Sequence, residues 1–448
     1  MSAIVKDDPK IIKAWTFYDW ANSVFPLVIT SAIFPNFYEY QTSHVDGKEV
    51  GDVVSLFGCH FHNQDIYSYV YSFALFIVVL TAPILSGIAD YYGNKKNYLK
   101  FFCYLGSLSC MCLYFFDRDH LGLSFIPFVT ATIGFWGSLV FYNSYLPEIA
   151  TEKNQDKVSA KGFALGYFGS SLLLILCLVG IIVFKYEETV VDGLVVSTKG
   201  FFKVKYAFLL TGLWWLGFAQ YTFKILPGRI HKAHGSESNL LSKGFNELRN
   251  VWLELKHHKE LKKFLSSYFF YNMGVQTVMV TAVLFARKEI LWPDEKTKTN
   301  SLIVSILLIQ FLGVAGSFLF SFISRKLGNI RALMIAILFW IFICTFTFAV
   351  ARLPIHFYIV AACVGLVMGG VQSLSRSTYS KLLPEREDHT SYFSFFDVME
   401  KLGMIIGTVS FGVISQITGG MRNSVLALIL FFVIGLALLF NLYKFKKL

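Results

Sequence analysis

Two stretches decide the fold: Ser86-Gly87-Ile88-Ala89-Asp90-Tyr91-Tyr92-Gly93-Asn94-Lys95-Lys96 and Ser321-Phe322-Ile323-Ser324-Arg325-Lys326-Leu327-Gly328-Asn329-Ile330-Arg331. Each is a short, basic, Gly-Asn-containing connection between two long apolar runs, and the two Gly-Asn pairs lie 235 residues apart. Leu146-Pro147-Glu148 recurs as Leu383-Pro384-Glu385, displaced by 237, and Gly166 and Gly403 share that displacement. Matching punctuation at nearly one offset, in equivalent connections and runs, predicts a duplicated unit.

Working outward from these loops gives the spans. A bilayer core of about 30 Å asks for roughly 20 apolar residues per helix. Runs of that kind cover 15–39, 66–89, 97–116, 121–146, 160–184 and 204–226, then 263–287, 300–324, 331–351, 354–378, 391–418 and 422–443. The chain therefore reads as an all-α membrane protein. It has twelve transmembrane helices in two pseudo-symmetric six-helix bundles, 1–226 and 263–448, joined by a polar, basic central loop at 227–262. Within and just beyond that loop, 245–265 has the pattern of an amphipathic helix lying on the membrane surface. Composition agrees: 55% of residues are hydrophobic and 15% charged, against about 25% charged in a soluble domain.

The formal net charge of +11 does not read as a nucleic-acid footprint, because the basic residues flank apolar runs. It reads as topology. With the N-terminus placed in the cytoplasm, 27 of the 40 Lys and Arg residues fall on the cytoplasmic side and 12 on the other, with Lys401 inside a helix. That asymmetry puts both termini and the central loop in the cytoplasm. Of seven cysteines, six lie in or beside apolar runs and read as packing residues; only Cys59 is in a polar loop, so no disulfide framework is implied. The first apolar run is too long for a signal peptide and is followed by further spans.

The loop around Asp90 resembles the loop signature of the major facilitator superfamily. It departs from that signature at Ser86, which holds a Gly position, and at Tyr91, which replaces a basic residue; the second copy has Arg325 where the Asp would stand. Further segments are similar to the "unknown major facilitator" group, which is related to the autophagy-associated vacuolar amino-acid effluxers. They are Trp15-Thr16-Phe17-Tyr18-Asp19-Trp20-Ala21-Asn22-Ser23, Tyr142-Asn143-Ser144-Tyr145-Leu146-Pro147-Glu148, Gly162-Phe163-Ala164-Leu165-Gly166-Tyr167 and Gln372-Ser373-Leu374-Ser375-Arg376-Ser377. The resemblance implies a secondary transporter working by alternating access. It implies a substrate only at family level, where amino-acid efflux leads.

Ionisable side chains at mid-bilayer cost about 2.5–3.5 kcal/mol on insertion scales, so each asks for a reason. At about 1.5 Å per residue, Glu400 and Lys401 lie roughly 13–15 Å inside Ser391, and Asp19 only about 6 Å inside Trp15. Asp397 and Lys401 are four apart and share a helix face. This cluster reads as a substrate or proton site, or as an internal ion pair fixing its helix; Asp19 reads as a gate or packing residue. Polar stripes add Asn22, Pro26 and Thr30 behind Asp19, then Tyr142 and Asn143, then Tyr268, Tyr271, Asn272 and Gln276, then Gln372, Ser375, Arg376 and Tyr379. Each is open to a reading as helix glue, and Arg376 to membership of the cytoplasmic basic set. In the first loop, Asp90, Gly93, Lys95 and Lys96 read as a gate: Gly93 for a tight turn, Asp90 to meet helix-end donors or a basic partner, the lysines to hold the cytoplasmic face. Gly162 and Gly166, like Gly403 and Gly407, read as close packing between the halves.

These readings converge on a secondary transporter of a small polar or amphipathic solute, driven by protons, another coupling ion or the solute's own gradient. It needs no cofactor, binds no nucleic acid, contacts membrane lipids and acts as a monomer, most simply in a bacterial inner membrane. Cys59-His60-Phe61-His62 fits no standard zinc spacing. No phosphate-binding loop, HExxH or nucleophile-elbow pattern appears, which argues against an ATP-driven pump or a hydrolase. The rival class is a non-transporting membrane sensor or scaffold.

Overall fold

The computed structural model describes residues 5–45, 48–49, 51–56, 58–191, 194–228, 240–385 and 389–447. Residues 229–239 of the central loop, and Arg386 of the basic set, lie outside them. Elements are numbered here in chain order.

The first expected span is not one helix. It is α1 (Pro9–Asn22), a π-helical stretch (Phe25–Ala32) and α2 (Phe34–Ser43). Pro26 and Pro35 cannot donate to a preceding carbonyl, and each sits in the first turn of a new segment. The Pro26 carbonyl accepts from the hydroxyls of Thr30 (2.7 Å) and Ser31 (2.8 Å). Because the π-helical stretch changes the turn period, the stripe expected from Asp19 through Asn22 and Pro26 to Thr30 does not continue along one face.

The rest of the first half is α3 (Asn63–Tyr92), α4 (Lys95–Cys112), α5 (Leu121–Ser124), α6 (Ile126–Asn143), α7 (Leu146–Ile149), α8 (Glu152–Val183) and α9 (Tyr206–Ile225). After the linker helix α10 (Leu240–His257) come α11 (Lys259–Glu289), α12 (Glu295–Leu327), α13 (Asn329–Ala349), α14 (Pro354–Leu382), α15 (Thr390–Thr418) and α16 (Met421–Lys447). Among the described residues, ten helical stretches are long and apolar enough to cross a membrane. The other two expected spans are the broken first one and α9, whose Trp, Tyr and Gln residues lower its mean hydropathy although its 20 residues reach about 30 Å.

The expected amphipathic helix is displaced. α10 ends at His257, and the chain turns at His258 (φ −82°, ψ 85°) before α11 begins at Lys259. Phe264 and Leu265 thus belong to a spanning helix. Apolar length carried no signal for the three antiparallel hairpins found among the described residues: β1 (His44–Val45) with β2 (Lys48–Glu49), β3 (Val53–Leu56) with β4 (Cys59–His62), and β5 (Glu187–Val191) with β6 (Leu194–Lys199). All three lie in the connections α2–α3 and α8–α9.

Each half has its own core. The first is built around Trp15, Phe34, Phe128, Tyr142 and Trp215, the second around Phe264, Tyr271, Trp340, Tyr379 and Phe432. The halves meet along a seam with two sides: α8 packs on α12 and α14, and α3 and α6 pack on α15. Of the cysteines read as packing residues, Cys103, Cys110, Cys177 and Cys344 are buried, Cys363 is half-buried, and Cys112, the last residue of α4, is exposed.

Candidate functional site

Three layers of polar side chains lie along the seam. The first is an ion pair between the halves. Arg376 of α14 is 3% exposed, and its Nη2 lies 3.3 Å from the Asp19 Oδ2 of α1. Its Nε donates to Ser159 Oγ (3.0 Å), its Nη1 to Asn143 Oδ1 (3.2 Å) and its Nη2 to the Ser159 carbonyl (3.0 Å). Tyr142 completes the carboxylate's shell by donating to Oδ2 at 2.7 Å. The guanidinium lies over Phe163 (4.1 Å) and Trp15 (4.8 Å), as a delocalised cation does where water is excluded. Trp15 stacks on Tyr142 at 4.5 Å and donates to its carbonyl at 2.9 Å, which fixes both rings.

Two readings change here. Arg376 is not a solvent-facing member of the basic set, because it is buried and its charge is met by Asp19. The glycine pairs also differ from expectation. At Gly162 a Cβ would sit 2.4 Å from Asp19 Oδ2 and 3.0 Å from Arg376 Nη2, so the missing side chain makes room for the inter-half pair. Gly166 abuts Ser23 within the first half. Gly403 and Gly407 face Phe269, Met273 and Thr277 of α11, inside the second half rather than between halves.

The second layer is deeper along the same seam. On α15, Lys401 pairs with Asp397, and its Nζ is 3.6 Å from Glu400 Oε2. Lys401 is fully buried, and its ammonium sits 3.9 Å above the Trp136 ring of α6, in the other half. The Glu400 side chain is 19% exposed, and its carboxylate accepts from Gln276 Nε2 of α11 at 2.7 Å. Gln276 is also 3.4 Å from Asn272 Oδ1. Asn272 Nδ2, Asp397 Oδ2 and Asn22 Nδ2 are buried without a hydrogen-bond partner among the described residues. Buried polar atoms are almost always satisfied, so the unmet atoms of Asn272 and Asp397 leave hydrogen-bonding capacity close to Glu400. Gln372 does not join this group; it accepts from Tyr167 OH of α8, another contact between halves.

The third layer is at the loops. Asp90 accepts from the backbone N–H groups of Thr390 (3.1 Å) and Ser391 (2.6 Å), so it caps the first turn of α15 from the opposite half. Gly93, at φ +63°, ends α3 in the left-handed conformation and turns the chain. Lys95 is buried in an ion pair with Glu148, and His389 Nδ1 of the second half is 3.9 Å from the same carboxylate. Lys96 donates to the Leu226 carbonyl, within its own half. Across the pseudo-symmetry axis, Asp156 of α8 takes Lys381 Nζ (2.7 Å), Asn329 Nδ2 (2.7 Å) and Ser324 Oγ (3.1 Å). Asp156 sits opposite the loop whose own acidic position is Arg325. Sequence reasoning singled out neither Asp156, His389 nor Ser159; only the pairing of the halves gives them meaning. Trp136 carried no signal, being an aromatic in an apolar run.

The Cys59–His62 motif forms strand β4, where His62 Nδ1 is 3.0 Å from Asp52 Oδ2. Among the described residues no three His, Cys, Asp or Glu side chains gather as metal ligands.

Two six-helix halves with a polar seam define a membrane transporter of the major facilitator fold. Solved structures share that fold over nearly the whole chain. The fucose:proton symporter FucP from E. coli, in the outward conformation, aligns with a TM-score of 0.66 at 14% identity, covering 97% of this chain and 99% of its own. The human organic anion transporter MFSD10 also gives 0.66, at 11% identity, covering 97% and 100%. The chain belongs to the family described as "Vacuole effluxer Atg22 like", whose model matches residues 7–447. It is 29% identical over 428 residues to the uncharacterized MFS-type transporter YxiO of Bacillus subtilis, covering 95% of this chain and 93% of that one. It is 25% identical to autophagy-related protein 22 of Kluyveromyces lactis, covering 97% and 94%. The protein is thus a multi-pass membrane transporter rather than an enzyme.

Proposed function

We propose that this transporter exports a small zwitterionic solute, with amino acids as the leading class, by alternating access of its two halves. The observation that carries the reading is the second layer. A zwitterion asks for carboxylates near its ammonium and for N–H donors near its carboxylate. Glu400 supplies the first and the unpartnered amide of Asn272 the second, linked through Gln276 and set beside the Asp397–Lys401 pair. Lys401 is already neutralised by Asp397, so Glu400 is the carboxylate left to take a substrate ammonium or a proton during the cycle.

Asp19, Asn143, Tyr142 and Arg376 then act as the inner gate, with Asp90, Gly93, Lys95 and Lys96 as its loop closure. Asn22, Gln276 and Gln372 line the path between the two levels. The direction is outward, in keeping with the effluxer description of the family. The protein works as a monomer in a bacterial inner membrane with both termini in the cytoplasm, coupled to protons or another ion, or running down the solute's own gradient.

The test is a flux screen in proteoliposomes, with and without a pH gradient, comparing wild type with Glu400→Gln. The expected result is amino-acid flux in the wild type, reduced at least tenfold in the variant or stripped of its pH dependence, in line with about 1.4 kcal/mol or more of lost interaction. Unchanged flux together with unchanged pH dependence rejects the role of Glu400. Absence of flux for every zwitterion rejects the substrate class.

A further inference from the structure

The linker helix α10 remains without a role in transport. It runs along α3 of the first half and touches α11 and α15 of the second, so it straddles a seam. Val251 and Leu255 are buried in the second half's core. Glu254 accepts a hydrogen bond from Tyr392 OH. Tyr392 lies in the first turn of α15, next to the Thr390 and Ser391 N–H groups that Asp90 holds. α10 is therefore fastened directly beside the loop latch.

Its other side is unlike a soluble surface. Trp252 and Leu253 are 48% and 44% exposed. Trp252 packs beside Phe395 of α15 (5.8 Å), and Lys256 Nζ lies 5.6 Å from the Trp252 ring. In the same stretch Arg249, Lys256, His257, His258, Lys259 and Lys262 are exposed. Between Arg249 and Lys262 the acidic residues are Glu254, which accepts from Tyr392, and half-buried Glu260. An exposed indole and leucine with the cations Arg249, Lys256, Lys259 and Lys262 close by in the chain match the headgroup region of a bilayer, where tryptophan partitions and basic side chains meet anionic lipid.

We infer that α10 is a docking surface for anionic phospholipid headgroups, and that lipid bound there favours closure of the latch. A ligand shifts an equilibrium only by its differential affinity for the two states. Here the difference is structural: α10 rests on both halves, and its tie to Tyr392 exists only while α15 lies against it. Headgroups that hold α10 in this seat hold the first turn of α15 with it. This goes beyond the export reading and does not depend on which solute is carried.

The experiment uses the full-length chain in symmetric vesicles of phosphatidylcholine, alone or with about one-third phosphatidylglycerol, so the result does not depend on orientation. Amide hydrogen exchange over 389–396 reports the latch. Since each basic residue near an anionic surface is worth a factor of roughly five in binding, exchange is expected to slow by about fivefold or more in the anionic vesicles. The triple variant Arg249→Gln, Lys256→Gln, Lys259→Gln should lose that difference, while Lys256→Arg with Lys259→Arg keeps it. Lipids brominated near the headgroup should quench a fluorescence component that Trp252→Phe removes. Soluble glycerophosphoglycerol added to neutral vesicles should not reproduce the protection. Equal exchange in both lipids, protection retained by the triple glutamine variant, protection by the soluble headgroup, or no quenched component from Trp252 each overturns the inference.

Discussion

The seam between the halves is fastened differently at its two ends. At one end Arg376 is 3% exposed and every nitrogen of its guanidinium is engaged, by Asp19, Asn143 and Ser159. At the other end Arg287 of α11 donates to Asn36 Oδ1 of α2 at 2.7 Å and lies 3.5 Å from Glu39. The Arg287 and Glu39 side chains are 33% and 40% exposed. A solvent-exposed pair contributes about 0–1 kcal/mol. Removing one partner of a buried pair costs about 3–5 kcal/mol, because the other charge is left without compensation. The structure is therefore closed by buried chemistry at the Asp19 end and only lightly held at the Glu39 end. If the halves alternate as proposed, the first set of contacts breaks in every cycle. The Asp397–Lys401 pair is different again: both partners ride on α15, so it can persist while the halves rock.

The largest effect is expected from Arg376→Ala. It leaves Asp19 buried with only Tyr142 as a strong donor, and about 3–5 kcal/mol of closure is lost. Flux should fall by two orders of magnitude or more, and hydrogen exchange in 156–166 should rise. Arg376→Lys keeps the charge without the planar fork and should recover little. If Arg376→Ala transports within twofold of wild type, the pair is not a gate.

Gly162→Ala attacks the same contact without touching a charge. The new methyl would lie 2.4 Å from the Asp19 carboxylate, so the pair must move or separate. Overpacking of this kind costs about 1–3 kcal/mol. Faster exchange in 156–166 with normal expression is the expected signature; Gly166→Ala, which meets Ser23 instead, should spare the Arg376 contact. The two loop latches come next. Asp156→Asn removes the charge that Lys381 meets, at about 1–3 kcal/mol. Asp90→Asn keeps a good cap for the α15 N-terminus and should cost only a few tenths to about 1 kcal/mol. Thermal melting in detergent should rank Asp156→Asn below Asp90→Asn; the reverse order means that the Asp90 latch depends on its charge rather than on capping.

The repeat was legible because duplication preserves turns. Gly93 and Gly328, and the two Leu-Pro-Glu stretches, end or begin helices in both halves, so their offsets survived where side-chain identity did not. Depth was legible as well, since the helical rise puts Glu400 and Lys401 well inside α15. Partnership across the seam was not. Arg376 reads as one more cation near a helix end, and nothing local says that its carboxylate lies 357 residues earlier in the chain. Asp156 was hidden for a related reason: the acidic member of the second latch stands on α8, facing the α12–α13 loop, so comparing loop with loop finds only Arg325. The break in the first span was signalled by Pro26 and Pro35. A count of apolar residues is blind to it, because proline changes the direction of a helix without changing its hydropathy.

The smallest effect is expected at Arg287, and it is the one that sharpens the contrast between the ends. Arg287→Ala removes one hydrogen bond to Asn36 and a screened ion pair with Glu39, which is itself also held by Gln64 Nε2 at 3.2 Å. The loss should stay below about 1 kcal/mol and shrink further in high salt. Melting temperature should hardly move. Flux should change by less than about threefold, and in the direction of faster turnover, because this end opens more easily once its fastening is gone. Slower turnover by tenfold would mean that closure at the Glu39 end limits the cycle. The exposed pair would then be as much a gate as the buried one, and burial alone would no longer separate the two ends.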